Sequence, residues 1–387
     1  MKILQVHTQY REPGGEDAVV EAEAELLAAA GHDVLLHVAR NPSGAVRTGA
    51  SLALSPWNPL AARELRRLAE RARPDVAHVH NTWYALSPSV LTALTAAAVP
   101  VVMTLHNYRL LCANAQLFRD GHACEDCVGS HPWHGVRHRC YRGSLVASTP
   151  AAGTIALHRA LGTWNQHVRL FLTLNDFARA RFVRGGLPAD KIRVKPNFVT
   201  DPGPRPAPPS QSRTILYVGR LTAEKGVQTL LDAWDAWRPS GLELVLVGDG
   251  PLRPALEQRP PPAVRLTGRL PRGAVTDWML RSRTLVFPSV LYEGQPMAVL
   301  EALGCGLPVL ASRVGGNVEL LRGQGEHWLV PPGERVGWIE GLGRLPDNPP
   351  VDRAGEHARR LYEQRFSRGT GLRLLEDAYR TALTARQ

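Results

Sequence analysis

The chain is poor in lysine: four of its 46 Lys and Arg residues are lysines, the rest arginines. Long apolar runs are missing as well. None reaches the length that spans a bilayer, and Met1-Lys2-Ile3-Leu4-Gln5-Val6 reads as a first strand, not a signal peptide. A cytoplasmic protein is expected, with contact at the inner face of a membrane as an option. No Gly-x-Gly-x-x-Gly follows the first strand, which disfavours a dinucleotide oxidoreductase. No nucleic-acid module is visible, so nucleic acid is not an expected partner. Cysteine is sparse too, five in 387 residues, and four of the five fall close together.

What is present implies two domains of alternating strand and helix. Strands are expected near 2–7, 33–38, 75–79, 100–105 and 170–174, then near 214–218, 243–247, 264–266, 284–287 and 308–311. Helical stretches such as Ala18 to Ala30 and Ala61 to Arg71 alternate with them. Such β-α-β halves predict an α/β protein of two doubly wound parallel sheets facing across a cleft. Asp201 to Ser210 carries proline at 202, 204, 206, 208 and 209 and can form neither helix nor central strand. The expected division is a first domain at 1–200, a linker at 201–212, a second domain at 213–353 and a helical end at 354–387.

The net charge is +11, and residues 101–200 hold 13 basic against 5 acidic residues. Such an excess suits an anionic partner near the first domain, a phospholipid surface or a phosphate-bearing molecule. A generic basic surface fits it equally well.

Chemistry concentrates after residue 213. Glu293 and Glu301 lie eight residues apart in Tyr292-Glu293-Gly294-Gln295-Pro296-Met297-Ala298-Val299-Leu300-Glu301. The first sits on a strand-to-helix loop and the second about one turn inside the helix. A helix N-terminus offers N–H groups and a positive dipole end to anions, and carboxylates suit hydroxyl groups. Leu216-Tyr217-Val218-Gly219-Arg220 ends a strand, and Glu224-Lys225-Gly226 opens the next helix. Arg220 and Lys225 would neutralise a diphosphate, Arg through paired hydrogen bonds and Lys as a point charge. Alone, two glutamates at this spacing are usually a solvated pair, and Gly248-Asp249-Gly250 is usually only a turn.

Together with Gly268-Arg269-Leu270 and Gly315-Gly316-Asn317, these motifs resemble the nucleotide-sugar domain of the retaining glycosyltransferases of family 4. The resemblance implies the GT-B fold, with the terminal helix packed back on the first domain. It also implies a nucleoside diphosphate sugar as donor and a hydroxyl as acceptor, anionic or lipid-linked among the options. Arg220 and Lys225 would grip the diphosphate, and Glu301 would hold the donor ribose. Glu293, with Gly294 and the amides of Gln295, Pro296 and Met297, would face the sugar, and Gly268 to Leu270 would frame the base. Gln295 stands where the family often has an aromatic residue, which leaves the sugar open. No Asp-x-Asp motif is apparent, so no catalytic metal is expected.

In the first domain, Gly14 and Gly15 open a long helix whose amides would reach the donor phosphate; a plain Gly-rich turn is the alternative. His106 matches the position where this family carries a His beside the donor sugar. His80, Trp83 and Tyr108 are candidates for acceptor contact. Cys112, Cys124, Cys127 and Cys140 form the cysteine cluster, with Cys-x-x-Cys spacing only in the middle pair. A structural zinc with four thiolates is one reading, and His122, His131, His134 or His138 would substitute for a cysteine. A redox pair and unligated thiols are the others. Two further classes stay open: a nucleotide-sugar epimerase of similar fold, and a regulator that binds a sugar nucleotide without turnover.

Overall fold

The computed structural model describes residues 1–10, 14–259 and 261–384. The chain forms two compact units. The first comprises residues 1–119, 124–196 and 372–387; the second comprises 120–123 and 197–371.

The first unit holds six parallel strands: β1 (Lys2–Gln9), β2 (Asp33–Arg40), β3 (Val76–Asn81), β4 (Val101–Leu105), β7 (Leu170–Thr173) and β8 (Ile192–Val194), in the order β2-β1-β3-β4-β7-β8. Two-residue strands β5 (Phe118–Arg119) and β6 (His122–Ala123) stand between β4 and β7 in the chain. β3 and β4 are buried at every residue, as expected of strands covered on both faces. One face packs Ile3, Val76, Val102, Leu170 and Leu172 against Leu27 and against Leu375, Ala378, Tyr379 and Ala382. The last four come from the terminal helix Arg368–Thr384.

The second unit repeats the architecture with β9 (Thr214–Val218), β10 (Glu243–Val247), β11 (Val264–Gly268), β12 (Thr284–Phe287), β13 (Val309–Ser312) and β14 (Leu329–Val330), in the order β11-β10-β9-β12-β13-β14. All its pairings are parallel. The order reverses between β9 and β12, and doubly wound sheets take ligands beyond the carboxyl ends of strands at such a point. The side-chain period of two divides the core. Leu216, Val245, Leu285 and Val309 face the helices Met297–Gly304 and Asn348–Arg365. Ile215, Leu244, Leu246 and Val286 face the helices Val227–Trp237 and Arg335–Gly343.

Two boundaries differ from the sequence expectation. The proline-rich stretch is no separate linker but part of the second unit. The Arg205 guanidinium donates to the carbonyls of Met279, Ser282 and Cys305, and Ser210 binds Asp352 through its N–H and its hydroxyl. The expected single helical end over 354–387 is two helices, Asn348–Arg365 and Arg368–Thr384, and Ala385 lies outside the described residues. The earlier helix places Ala358 and Tyr362 in the core of the second unit, so only residues from Leu372 onward belong to the first. Among the described residues, no helix is long and apolar enough to cross a membrane.

Candidate functional site

In the second unit the site forms at the sheet's reversal point. β9 runs into Gly219-Arg220, where the Tyr217 hydroxyl donates to the Arg220 carbonyl at 2.7 Å and Arg220 itself is exposed. A one-turn 3-10 segment, Ala223–Lys225, comes next, instead of the α-helix expected to open at Glu224. Gly226 then turns the chain at φ +71°, and a Cβ there would fall 2.0 Å from the Pro288 carbonyl. Only glycine allows this approach, which brings Lys225 to the end of β12. There the Lys225 ammonium donates to Glu293 Oε1 at 2.5 Å, and the Ser289 hydroxyl donates to the same oxygen at 2.7 Å. Gly315, at φ +59°, lets the turn after β13 back onto the Tyr292–Glu293 loop, where a Cβ would meet Tyr292 Cα at 3.1 Å.

Glu301 lies on the helix Met297–Gly304, 3.2 Å from the Arg272 guanidinium. Burial raises its carboxyl above the ordinary range, and Arg272 pulls it back. Gly268 sits at φ +71° against the Arg253 guanidinium, with Arg269 exposed and Leu270 packed on the core. Two donor-side expectations change. Pro296 has no N–H, so the amides before the helix belong to Gln295 and Met297. The Gln295 side chain is engaged internally, accepting the Asn197 N–H at 2.6 Å. Asp249 is a turn residue, accepting the Gly250 N–H and pairing with Arg253.

In the first unit Gly14 caps the helix Gly15–Ala29. The Gly14 N–H donates to the helix's own Asp17 at 2.7 Å, so this amide is already engaged and not directed at a phosphate. Asp17 also holds His7 Nε2 at 2.8 Å. Beside it, Glu16 Oε2 accepts from the Tyr10 hydroxyl and from Asn107. Burial pushes the Glu16 carboxyl up to about 8, against the hydrogen bonds that lower it.

His106 follows β4 and is half-buried, its Nε2 3.0 Å from His80 Nδ1. β3 runs on through Asn81, past the expected end at 79, and His80 is buried in it. Trp83 and Tyr108 are interior residues, 5% and 2% exposed. Trp83 packs with Tyr141 and the Arg109 guanidinium, and Tyr108 stacks on Phe182. In this conformation none of the three presents a face to an acceptor. Two residues without any motif stand beneath His80. Glu23 and Lys195 form a fully buried ion pair, with Glu23 Oε2 3.9 Å from His80 Nε2. The scarcity of lysine is the only sequence signal that marks Lys195.

The four clustered cysteines line one small cavity of about 10 Å³ with Asp126 and His134. None of them is in a disulfide, and burial, with the thiols of Cys112, Cys140 and Cys124 nearby, pushes Cys127 up to about 12. Of the four histidines considered as substitutes, His134 alone lines the cavity. The donor set suits zinc. Among the described residues no three of the sulfurs lie within 4.8 Å of one another. A zinc with Zn–S of about 2.3 Å would draw them closer.

Residues 13–201 match the family model described as Glycosyltransferase Family 4, and residues 212–348 the one described as Glycosyl transferases group 1. The chain is 37% identical over 136 residues to a putative teichuronic acid biosynthesis glycosyltransferase, TuaC, of Bacillus subtilis (strain 168), covering 35% of this chain and 33% of that protein. It is 30% identical over 287 residues to 2-deoxystreptamine N-acetyl-D-glucosaminyltransferase of Streptomyces fradiae, covering 68% and 60%. These matches thus span between a third and three fifths of the relatives' length. The fold is shared with Anabaena Alr3699/HepE in complex with UDP-glucose, at a TM-score of 0.68 and 19% identity over 97% of this chain and 99% of that one. It is likewise shared with sucrose-phosphate synthase from Thermosynechococcus elongatus, at 0.71 and 16% over the whole of both chains.

Proposed function

This chain belongs to glycosyltransferase family 4 and has the GT-B fold, and we propose that it moves a sugar from a nucleoside diphosphate sugar to an acceptor hydroxyl with retention of configuration. The observation that carries the reading is the Lys225–Glu293–Ser289 constellation at the reversal point of the second sheet. A cation and a carboxylate already in contact there suit a ligand with a diphosphate at one end and hydroxyls at the other. The ligand would take over both partners of the pair. Arg220 and Lys225 stabilise the departing diphosphate, Glu293 orients sugar hydroxyls, and Glu301, steadied by Arg272, binds the ribose. With two cations and no Asp-x-Asp motif, the reaction proceeds without a catalytic metal. An NMR time course of the first product is expected to show the donor's anomeric configuration kept. An inverted product would overturn the mechanism, and turnover of donor alone would favour an epimerase.

The acceptor is a hydroxyl of a polysaccharide, glycolipid or small glycoside. One relative is named for teichuronic acid biosynthesis and another for 2-deoxystreptamine, so the family does not choose among these. A cytoplasmic enzyme at an acidic membrane surface fits the basic excess of residues 101–200. It also fits Val46, Trp57, Leu60 and Val146, which are 86%, 42%, 72% and 84% exposed in the first unit. Sedimentation with anionic vesicles is expected to carry the protein down at low salt, and neutral vesicles are not. Equal binding to both would remove the charge argument.

We further propose that the cysteine cavity holds one structural zinc, because four soft thiols surround a space at the lower limit for a single water. Four thiolates leave no open position for water, so the ion stabilises the Cys/His-rich segment 112–140 without entering the chemistry. Elemental analysis of protein purified under reducing conditions is expected to give about one zinc per chain. Cys124→Ser should lower the metal content and the unfolding temperature while nucleotide binding persists. Metal-free protein with four titratable thiols excludes the site.

A further inference from the structure

The ring of His106 is bonded on one side only. Its Nε2 faces His80 Nδ1 at 3.0 Å, and its Nδ1 takes no hydrogen bond from the described residues. A contact this short between two ring nitrogens requires one proton, carried by one ring or the other. Burial favours the neutral form of both rings. Burial holds His80 well below the ordinary histidine range and brings His106 down to about 3, and the Lys195 charge adds to both effects.

The position of that proton is set one layer deeper. His80 Nε2 and Glu23 Oε2 are both buried without a hydrogen-bond partner, and they face each other at 3.9 Å. The other Glu23 oxygen accepts from the Lys195 ammonium. His78 lies 3.7 Å from Oε2, but its two nitrogens are bonded to the Tyr379 and Thr104 hydroxyls. If the His80 proton sat on Nδ1, the Nε2 lone pair would point at a buried carboxylate, two acceptors with nothing between them. With the proton on Nε2, an N–H dipole points at the charge instead, which a medium of low dielectric strongly favours. His80 Nδ1 is then an acceptor, so His106 must donate through Nε2 and keep a bare lone pair on Nδ1.

We infer that Glu23, acting through His80, fixes His106 in the tautomer whose outer nitrogen accepts a hydrogen bond, so that His106 receives a hydroxyl of a ligand and not a phosphate oxygen. Glu23 and His80 are positioning residues, and the proposal rests on the reading of His106 as a sugar-side residue. A donor nitrogen at the same place would bind a hydroxyl oxygen or an anionic oxygen alike, so the accepting tautomer is what excludes the phosphate.

The test needs no substrate, so its failure is separable from failure of the glycosyl-transfer reading. In ligand-free protein labelled with 15N-histidine, two-bond proton–nitrogen correlation distinguishes protonated from unprotonated ring nitrogens. His106→Gln assigns the signals by removing them. The wild type is expected to show His106 Nδ1 unprotonated and Nε2 protonated. In Glu23→Gln the amide NH₂ would face His80 Nε2 and make it an acceptor, and the unprotonated nitrogen of His106 should change to Nε2. A wild-type spectrum with Nδ1 protonated overturns the proposal. A folded Glu23→Gln variant with the wild-type pattern removes Glu23 from it. Should that variant fail to fold, the wild-type spectrum still decides the tautomer.

Discussion

Lys225→Ala is expected to lower turnover about 10²–10³-fold with the fold intact, the usual cost of removing one positioned group at developing charge. The side chain is 23% exposed and belongs to no core cluster, so the loss should not appear as unfolding. It acts instead on both halves of the ligand site. In the proposed site the variant loses a cation for the diphosphate, and Glu293 keeps its bond from the Ser289 hydroxyl. Arg220→Ala should behave similarly in rate. Glu301→Ala differs in kind, because ribose is common to the sugar donor and the free nucleoside diphosphate. Its affinity for the diphosphate alone should fall. Steady-state kinetics on a nucleotide sugar, with thermal unfolding as the control, separate these effects. Near-normal kcat/KM in Lys225→Ala would remove this lysine from the mechanism.

Lys195→Met is expected to cost about 3–5 kcal/mol of stability, the range for breaking a buried ion pair by deleting one partner. Lys195 is 1% exposed and Glu23 is fully buried, so the abandoned carboxylate has no water to turn to. The neighbouring imidazoles of His78 and His80 would have to take up a proton or Glu23 would have to accept one. The double variant Lys195→Met/Glu23→Leu should recover much of the loss, because it removes both charges together. Denaturant midpoints for the wild type and the variants measure this. A single variant as stable as the wild type would mean that the Lys195 charge does not hold Glu23, and the orientation inferred for His80 would fall with it.

The uneven legibility of this chain has a physical cause. The Gly219-Arg220 turn, the 3-10 segment at Lys225 and the Glu293 loop are local motifs, and each owes its position to a strand end that the apolar pattern already marks. β8 and β14 have three and two residues, too few for alternation to register. The run from 348 to 384 has helical composition throughout, and only the backbone shows a break between Arg365 and Arg368. Trp83 and Tyr108 look like ligand-contacting aromatics by type and place, yet their rings fill the interior of the first unit. Arg205 in the proline-rich stretch illustrates the same limit. Prolines tell where helix cannot form, but not that a guanidinium will satisfy three carbonyls from elements 74 to 100 residues away. Glu23 and Lys195 are 172 residues apart, and nothing local to either announces the other.

The terminal helix has a consequence for how the protein is made. Leu375, Ala378, Tyr379 and Ala382 cover the same apolar face as Ile3, Val76 and Val102, which are translated hundreds of residues earlier. Until this helix leaves the ribosome, the part of that face that it covers stays open, and Leu27 covers only the rest. Residues 197–371, by contrast, are already together and able to close their own core. The part of the chain synthesised second is thus the first that can finish folding, reversing the usual amino-terminal-first order. A nascent chain stalled before Leu375 emerges would carry a complete second unit and a first sheet with part of its apolar face open.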